Sequence, residues 1–422
     1  MAVFDLGEKK GHEIWELRSM QAATLPVKIS LTKQRLREWV EHYGLDKVFI
    51  SFSGGKDSTV LLHIAREMYP SIKAVFFDTG LEYPEIREFV RSYENVDWVR
   101  PDMNFKDVIA KYGYPFISKE VGECVFGARK YLTKLQEELA SRQSVSQSVS
   151  QSLPYEYYFR RLTGTGEYKK PERTFEGGGT TQSIVDSQEL RSMLALKPPR
   201  DGSRIRAARL LGMLTKDNQV MERIPEGSRS LYSLEKWGFL LDAPFVVGSQ
   251  CCRVMKKKPS HQYQRKTGRK VITAQMASES RLRTQAWVKN GCNAFNAKTP
   301  ISNPMAFWFE QDVLLYLYIN KIPIAKPYGE IIVESGDPSL ENAGIFDKNR
   351  PVLKTTGCSR TGCMFCGFGC HLEKPGEGRF ERLKVTHPKI YEYLFKPESE
   401  GGLGYKEIID WINEHGGTHI RY

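Results

Sequence analysis

Between residues 47 and 113 the apolar positions alternate between two rhythms. Val48, Phe49, Ile50 and Phe52 crowd into a short run that predicts a buried strand, and Val60, Leu61, Ile64 and Met68 recur at helical spacing just after it. Between the two lies Ser53-Gly54-Gly55, a sharp turn, and Asp57-Ser58 opens the helix. A second strand is predicted at Ile72 to Phe77, ending in Asp78-Thr79-Gly80, with a helix from Pro84 to about Tyr93. VDWVRP then predicts a strand and NFKDVIAKYGYP a helix, while Leu31, Leu36, Trp39 and Val40 place a helix over 31–43 ahead of the first strand. Such alternation is the mark of a parallel sheet with right-handed crossovers. Ligands on such sheets lie at the carboxyl ends of the strands, where SGGKDS and DTG both fall.

The pattern breaks after Leu135. SRQSVSQSVSQS has nothing to bury and EGGGTTQS at 176–183 is similar, so 141–152 reads as a mobile loop or linker. Basic residues dominate 160–236, as either a solvated insertion or an arm facing nucleic acid or substrate. Order returns at Lys236-Trp237, where LLDAPFVV predicts an apolar strand leading to Cys251-Cys252 and three lysines. Helices are predicted around Glu279 to Val288, from Phe307 to Asn320, and over 379–395 and 405–414, with 336–356 as loop. The expected division is 1–46, an N-terminal helical segment; 47–140, an α/β core; 141–235, a basic, partly flexible insertion; 236–375, core completion and a cysteine lobe; and 376–422, a C-terminal helical segment.

Composition narrows the partners. The 422 residues hold 62 Lys plus Arg against 50 Asp plus Glu, a net charge of +12, which favours an anionic partner, either nucleic acid or a phosphorylated small molecule. No apolar run approaches the roughly eighteen residues of a membrane helix, and the start lacks the form of a signal peptide, so a soluble, cytoplasmic protein is expected. Four of the eight cysteines crowd into 358–370, which in a reducing compartment points to metal rather than disulfides.

The candidate chemistry starts at the glycine turn. Unpaired N–H groups and the dipole at a helix start attract an anion, and Gly54 and Gly55 let the main chain approach it. Lys56 adds positive charge and is expected at an exposed loop tip; both glycines are expected to need positive φ. The spacing is not that of a Walker A loop. Asp78, Thr79, Gly80 and Glu82 form a second constellation, in which a carboxylate at a strand end could hold Mg²⁺ or a ribose hydroxyl. Cys358, Cys363, Cys366 and Cys370 could form a local zinc or iron–sulfur site, and Cys251-Cys252 brings the candidates to six. Cys124 and Cys292 read as buried structural thiols.

SGGKDS resembles the pyrophosphate loop of the N-type ATP pyrophosphatases, which split ATP between its α and β phosphates. With FFDTGLEYPE the resemblance sharpens to the adenylylsulfate and phosphoadenylylsulfate (PAPS) reductase family. PFISK at 115–119, Gln250-Cys251-Cys252, Glu279-Ser280-x-x-Arg283 and NPMAFWFEQDVLLYLYINKIPIAKPY are similar to further family segments, so that 47–120 and 236–372 are covered. The implied fold is α/β, a doubly wound parallel sheet of the adenine nucleotide alpha hydrolase-like kind, with a cysteine-rich metal lobe and a basic insertion. The implied nucleotide-binding residues are Ser53, Gly54, Gly55, Lys56, Asp57, Ser58, Asp78, Thr79, Gly80, Glu82 and Arg283, with Lys56, Asp57 and Asp78 in the catalytic roles. The family's cluster-bearing branch implies a [4Fe–4S] cluster on Cys251, Cys252, Cys363 and Cys366, with Cys358 and Cys370 as alternative ligands.

Two departures redirect the function. Family reductases attack sulfur with a cysteine in a carboxy-terminal ECG-x-H motif, whereas here the last cysteine is Cys370 and the tail reads Glu414-His415-Gly416-Gly417-Thr418-His419. Met276 stands where a family arginine aligns. The pairing of loop, cluster and basic surface resembles the sulfur-transfer enzymes of DNA phosphorothioation or tRNA thiolation. The expectation is an ATP pyrophosphatase that adenylates an acceptor for sulfur transfer, with Mg²⁺, a nucleic-acid substrate and a sulfur donor such as a cysteine desulfurase. The alternatives are a reductase of adenylylsulfate or PAPS, and a non-catalytic nucleotide-binding transcriptional co-activator.

Overall fold

Val48, Phe49 and Ile50 are fully buried, and a strand buried on both faces requires cover on both. The computed structural model describes residues 11–144, 187–196, 202–337, 339 and 347–422. In chain order its strands are β1 (Val48–Ser51), β2 (Ala74–Phe77), β3 (Val96–Val99), β4 (Phe116–Ile117), β5 (Lys270–Ile272), β6 (Asn293–Ala294), β7 (Ile301–Ser302), β8 (Ile331–Ser335), β9 (Val352–Thr355) and β10 (Gly367–Phe368). The first six helices are α1 (Ile14–Ala22), α2 (Leu25–Tyr43), α3 (Lys56–Met68), α4 (Pro84–Arg91), α5 (Phe105–Tyr112) and α6 (Lys119–Ser144). The chain divides into two compact units, Met1–Asp102 with Lys256–Met364, and Met103–Met255 with Phe365–Tyr422. This division cuts across the expected 47–140 core.

The first unit holds a six-stranded sheet in the order β3-β2-β1-β5-β7-β6. All pairings are parallel except β6 with β7, and Ile50 sits opposite both Ala74 and Ile272. The chain winds outward from β1 through β2 to β3 and later resumes on the other side of β1 at β5. The β1/β5 junction is therefore the point where strand order reverses, the place where such sheets open a crevice. One face packs Leu36, Trp39, Leu61, Ile64 and Trp308 into the main core. On the other face Phe49, Val75 and Val271 meet Tyr263, whose ring lies 5.0 Å from that of Phe49.

The second unit is mainly helical. α6 packs against the helix Gly202–Leu210, and buried Arg129 donates to the carbonyls of Leu240, Ala243 and Phe245. β4 pairs in parallel with β10. Tyr405, at the start of the helix Tyr405–Gly416, is wholly buried and donates to the Phe365 carbonyl at 2.6 Å.

Several expectations change. Residues 141–144, expected to begin a mobile loop or linker, close α6, which runs to Ser144, and the predicted strand at LLDAPFVV is a 3₁₀ turn, Glu235–Leu241, followed by a single bridge from Val247 to Tyr114. β9 pairs with β8 inside the expected 336–356 loop; an antiparallel ladder draws its hydrogen bonds from a partner distant in sequence, so local composition hides it. His387-Pro388 splits 379–395 into two helices, because proline cannot continue the first. Residues 145–186, which hold the QSVS repeat beyond Ser144, EGGGTTQS and the basic run over 160–186, lie outside the described residues. Where the insertion is described it is packed: Leu190, Leu194, Ala207, Ala208 and Leu210 are buried. Arg204 donates to the carbonyls of Leu194 and Ala195, and Arg206 and Arg209 pair with Glu123 and Glu120. Those arginines serve the fold.

Lys28 and Asp312 form an ion pair at 2.6 Å with both side chains at 0 % exposure, and Asp312 also accepts from Arg350 and the Phe309 amide. Removing one partner leaves a buried uncompensated charge. Asp312→Ala is expected to cost about 3–5 kcal/mol in urea unfolding, and Lys28→Met with Asp312→Leu to recover part of that loss.

Candidate functional site

The turn after β1 is shaped by two glycines with different constraints. Gly54 has φ +71°, and a Cβ there would come within 2.8 Å of Val90 and 2.9 Å of Ile86 on α4. Gly55 caps α3 with φ −79°, which any residue adopts, so positive φ is required only at Gly54. What keeps Gly55 small is proximity: its Cβ would lie 3.2 Å from Tyr328 Oη. Ser53 and Ser58 close the turn from inside, their hydroxyls 3.0 Å apart, while the Ser58 hydroxyl donates to the Gly55 carbonyl at 2.9 Å.

Lys56 is not at an exposed tip. Its side chain is 3 % exposed, with Nζ 3.0 Å from Glu310 Oε1, 3.1 Å from the Ser359 carbonyl and 3.6 Å from Asp57 Oδ1. Burial works against the ammonium, but Asp57, Tyr328 and Glu310 outweigh it and hold its pKa above the ordinary lysine value. The Lys56 amide, first of the α3 donors, gives its hydrogen bond to Tyr328 Oη at 3.2 Å. Burial pushes the Asp57 carboxyl up against the pull of Lys56, and Oδ1 has no hydrogen-bond partner.

The acidic turn is divided in its roles. Asp78, 2 % exposed, accepts from Arg87 at 2.9 Å and the Gly80 amide at 3.1 Å, with Arg100 3.5 Å away. Its charge is compensated from within the protein. Glu82 accepts from the Thr79 amide and hydroxyl and lies 3.6 Å from Lys256. Arg283 pairs with Glu279, which also lies 3.6 Å from Arg360. Burial, then Arg360, lowers the pKa of Arg283, against the pull of Asp57. Arg283 and Arg360 thus lie within electrostatic reach of Asp57 at the start of α3.

A cavity of about 510 Å³ opens at the β1/β5 junction. Ser51 to Ser53, Phe77, Glu82 and Lys256 line it with Gln264, Thr273 and Thr361, a mixture of aromatic faces and hydrogen-bonding groups suited to a nucleoside. Glu310, Tyr328, Thr361 and Arg360 were not singled out from sequence, although the first two fall inside the NPMAFWFEQDV…AKPY segment.

The cysteines divide between the units. Cys358 and Cys363 belong to the first, Cys251, Cys252, Cys366 and Cys370 to the second. In the second unit burial pushes the Cys366 thiol up, the Phe368 amide and Arg379 oppose this, and Cys252 adds to the rise. Cys251, Cys366 and Cys370 all lie within electrostatic reach of buried Tyr405. The Cys370 thiol donates to the Gly367 carbonyl at 2.8 Å and burial pushes its pKa up to about 12. Among the described residues no group of three or more His, Cys, Asp or Glu is arranged to hold a metal ion.

The two glycines separate fold from binding. Gly54→Ala is expected to cost about 1–3 kcal/mol in thermal or urea unfolding, through strain and collision with α4. Gly55→Ala should retain the fold yet weaken calorimetric binding of inorganic pyrophosphate roughly tenfold, because the added methyl would hold a phosphate oxygen away from the main-chain amides, at about the cost of one charge-assisted hydrogen bond.

Residues 47–135, about a fifth of the chain, match the phosphoadenosine phosphosulfate reductase domain. The uncharacterized protein MJ0973 of Methanocaldococcus jannaschii is 35 % identical over 69 residues, 15 % of this chain and 17 % of that protein. The chain therefore spans about a sixth of the length of this curated relative. The domain match takes in β1, the glycine turn, α3 and the acidic turn, and with the mainly parallel sheet it supports kinship with the PAPS reductase family, a nucleotide-binding family of sulfur metabolism whose members are generally enzymes.

Proposed function

We propose that the protein is an ATP pyrophosphatase that adenylates an acceptor for sulfur transfer, with nucleic acid as the acceptor. The observation that carries this reading is the glycine turn at the β1/β5 junction, whose Ser53 lines a cavity of about 510 Å³ and whose next residues, Gly54 to Lys56, lead into a helix start with a buried lysine ammonium. The β and γ phosphates of ATP would sit on Ser53 to Ser58, and Lys56 would neutralise the charge that builds on the leaving pyrophosphate. Mg²⁺ would shield the phosphate charges. Asp78 is already paired with arginine, so Asp57, whose Oδ1 lacks a hydrogen-bond partner, is the better carboxylate to orient it. The net charge of +12 favours a polyanionic acceptor, and a partner protein would deliver sulfur.

A [4Fe–4S] cluster, which takes one thiolate per iron, would supply electron or sulfur transfer. Its proposed ligands are Cys251, Cys252, Cys363 and Cys366, the set that the family resemblance implies, with Cys363 and Cys366 in the C-x-x-C spacing. A second reading, reduction of adenylylsulfate or PAPS, is favoured by the domain match over 47–135.

ATP labelled at the α phosphate should yield labelled AMP or adenylated acceptor, and label at the γ phosphate should appear in pyrophosphate. Lys56→Ala should slow that release by about 10²–10³-fold with the fold intact. ADP with orthophosphate would refute the proposal, and sulfite from adenylylsulfate would establish the second reading.

Protein purified without oxygen should carry about four irons per chain, lost in Cys252→Ser and kept in Cys358→Ser. The reverse pattern would assign the iron to the local cysteine run.

A further inference from the structure

Residues 358–364 cross the glycine turn with buried ends and an open middle. Cys358 and Met364 are buried, whereas Ser359, Arg360 and Gly362 are exposed. The ends are pinned through the main chain: the Cys358 amide donates to the Pro327 carbonyl at 2.9 Å and the Met364 amide to the Leu81 carbonyl at 2.8 Å. The middle touches the turn at two points. The Ser359 carbonyl accepts from Lys56 Nζ at 3.1 Å, and Thr361 Oγ1 bonds at 2.8 Å to Tyr328 Oη, which itself accepts the Lys56 amide. A Cβ at Gly362 would meet nothing within 4 Å.

We propose that residues 358–364 form a strap over the glycine turn, lifted from it by the pyrophosphate group of a bound nucleotide. The proposal rests on the phosphate-binding reading given above. The strap takes up the Lys56 ammonium directly through the Ser359 carbonyl, and through Thr361 it bonds the Tyr328 phenol that accepts the helix-start amide; ammonium and amide are the groups that would receive phosphate oxygens. The strap offers them only neutral partners. The Lys56–carbonyl bond has only its donor ionised, whereas a phosphate oxygen adds a full opposite charge and so a direct coulombic attraction, which favours phosphate over the carbonyl. Because the ends are buried and bonded elsewhere, the middle can swing without unfolding its anchors. Arg360, 63 % exposed and 3.6 Å from Glu279, would travel with it.

Arg360 supplies the readout, since trypsin cuts after arginine only where the chain can enter the protease. The full-length protein is digested with and without inorganic pyrophosphate, the cut after Arg360 is timed by mass spectrometry, and binding heat is measured on the same preparation. Pyrophosphate should speed that cut several-fold. Thr361→Val should speed it roughly fivefold without any ligand, through the loss of one hydrogen bond holding the strap down. Tyr328→Phe removes the same tether and serves if the valine variant fails to fold by circular dichroism. Binding heat with an unchanged or slower cut overturns the strap and leaves the phosphate site standing, as does a wild-type rate in a folded tether variant. Absence of heat with both pyrophosphate and ATP overturns the phosphate site and the strap together.

Discussion

Within the four residues between β1 and α3 the chain must reverse, and the space for that reversal is bounded by Ile86 and Val90 of α4. Only a residue without a Cβ fits at Gly54, where φ is +71°. That one steric constraint sets where α3 begins. It brings the first helix amides to the carboxyl end of β1, beside the junction with β5, and so couples the order of the strands to a place where an anion can be held.

Electrostatics then decides what stands at that place. A lysine with 3 % exposure pays heavily for desolvation, and here two carboxylates and a phenol more than offset the cost. Glu310 and Tyr328 reach Lys56 from the far side of the sequence, so the charge at the turn depends on the later half of the chain. Asp78 shows the opposite balance. Its carboxylate is held by Arg87 and Arg100 and stiffens the acidic turn, while Glu82 faces the cavity with Lys256.

The parts legible in the sequence were those whose causes are local. β1, the glycine turn, α3 and the following strand and helix pairs announce themselves because burial period, turn chemistry and helix starts all lie within a few residues of one another. The burial of Lys56 was not legible, since Glu310 and the Ser359 carbonyl that enclose it come from about 250 and 300 residues later. Nor was the β8–β9 hairpin, whose pairing crosses a Gly- and Pro-rich connection. The arginine-rich stretch over 202–210 read as surface charge, but Arg204 turns inward to helix-end carbonyls and its neighbours meet acids on α6, a distinction that depends on a partner helix. At the cysteines, spacing identified the candidates without identifying which of them meet.

The central claim is that phosphate binds at the start of α3. A crystal structure of the protein with an ATP analogue bearing a methylene bridge between the α and β phosphates tests it most directly. The account predicts density for the β and γ phosphates against the amides of Gly54 to Ser58, with Lys56 Nζ turned from the Ser359 carbonyl to a phosphate oxygen. Triphosphate density elsewhere on the protein, with Lys56 still held by Ser359 and Glu310, would contradict it.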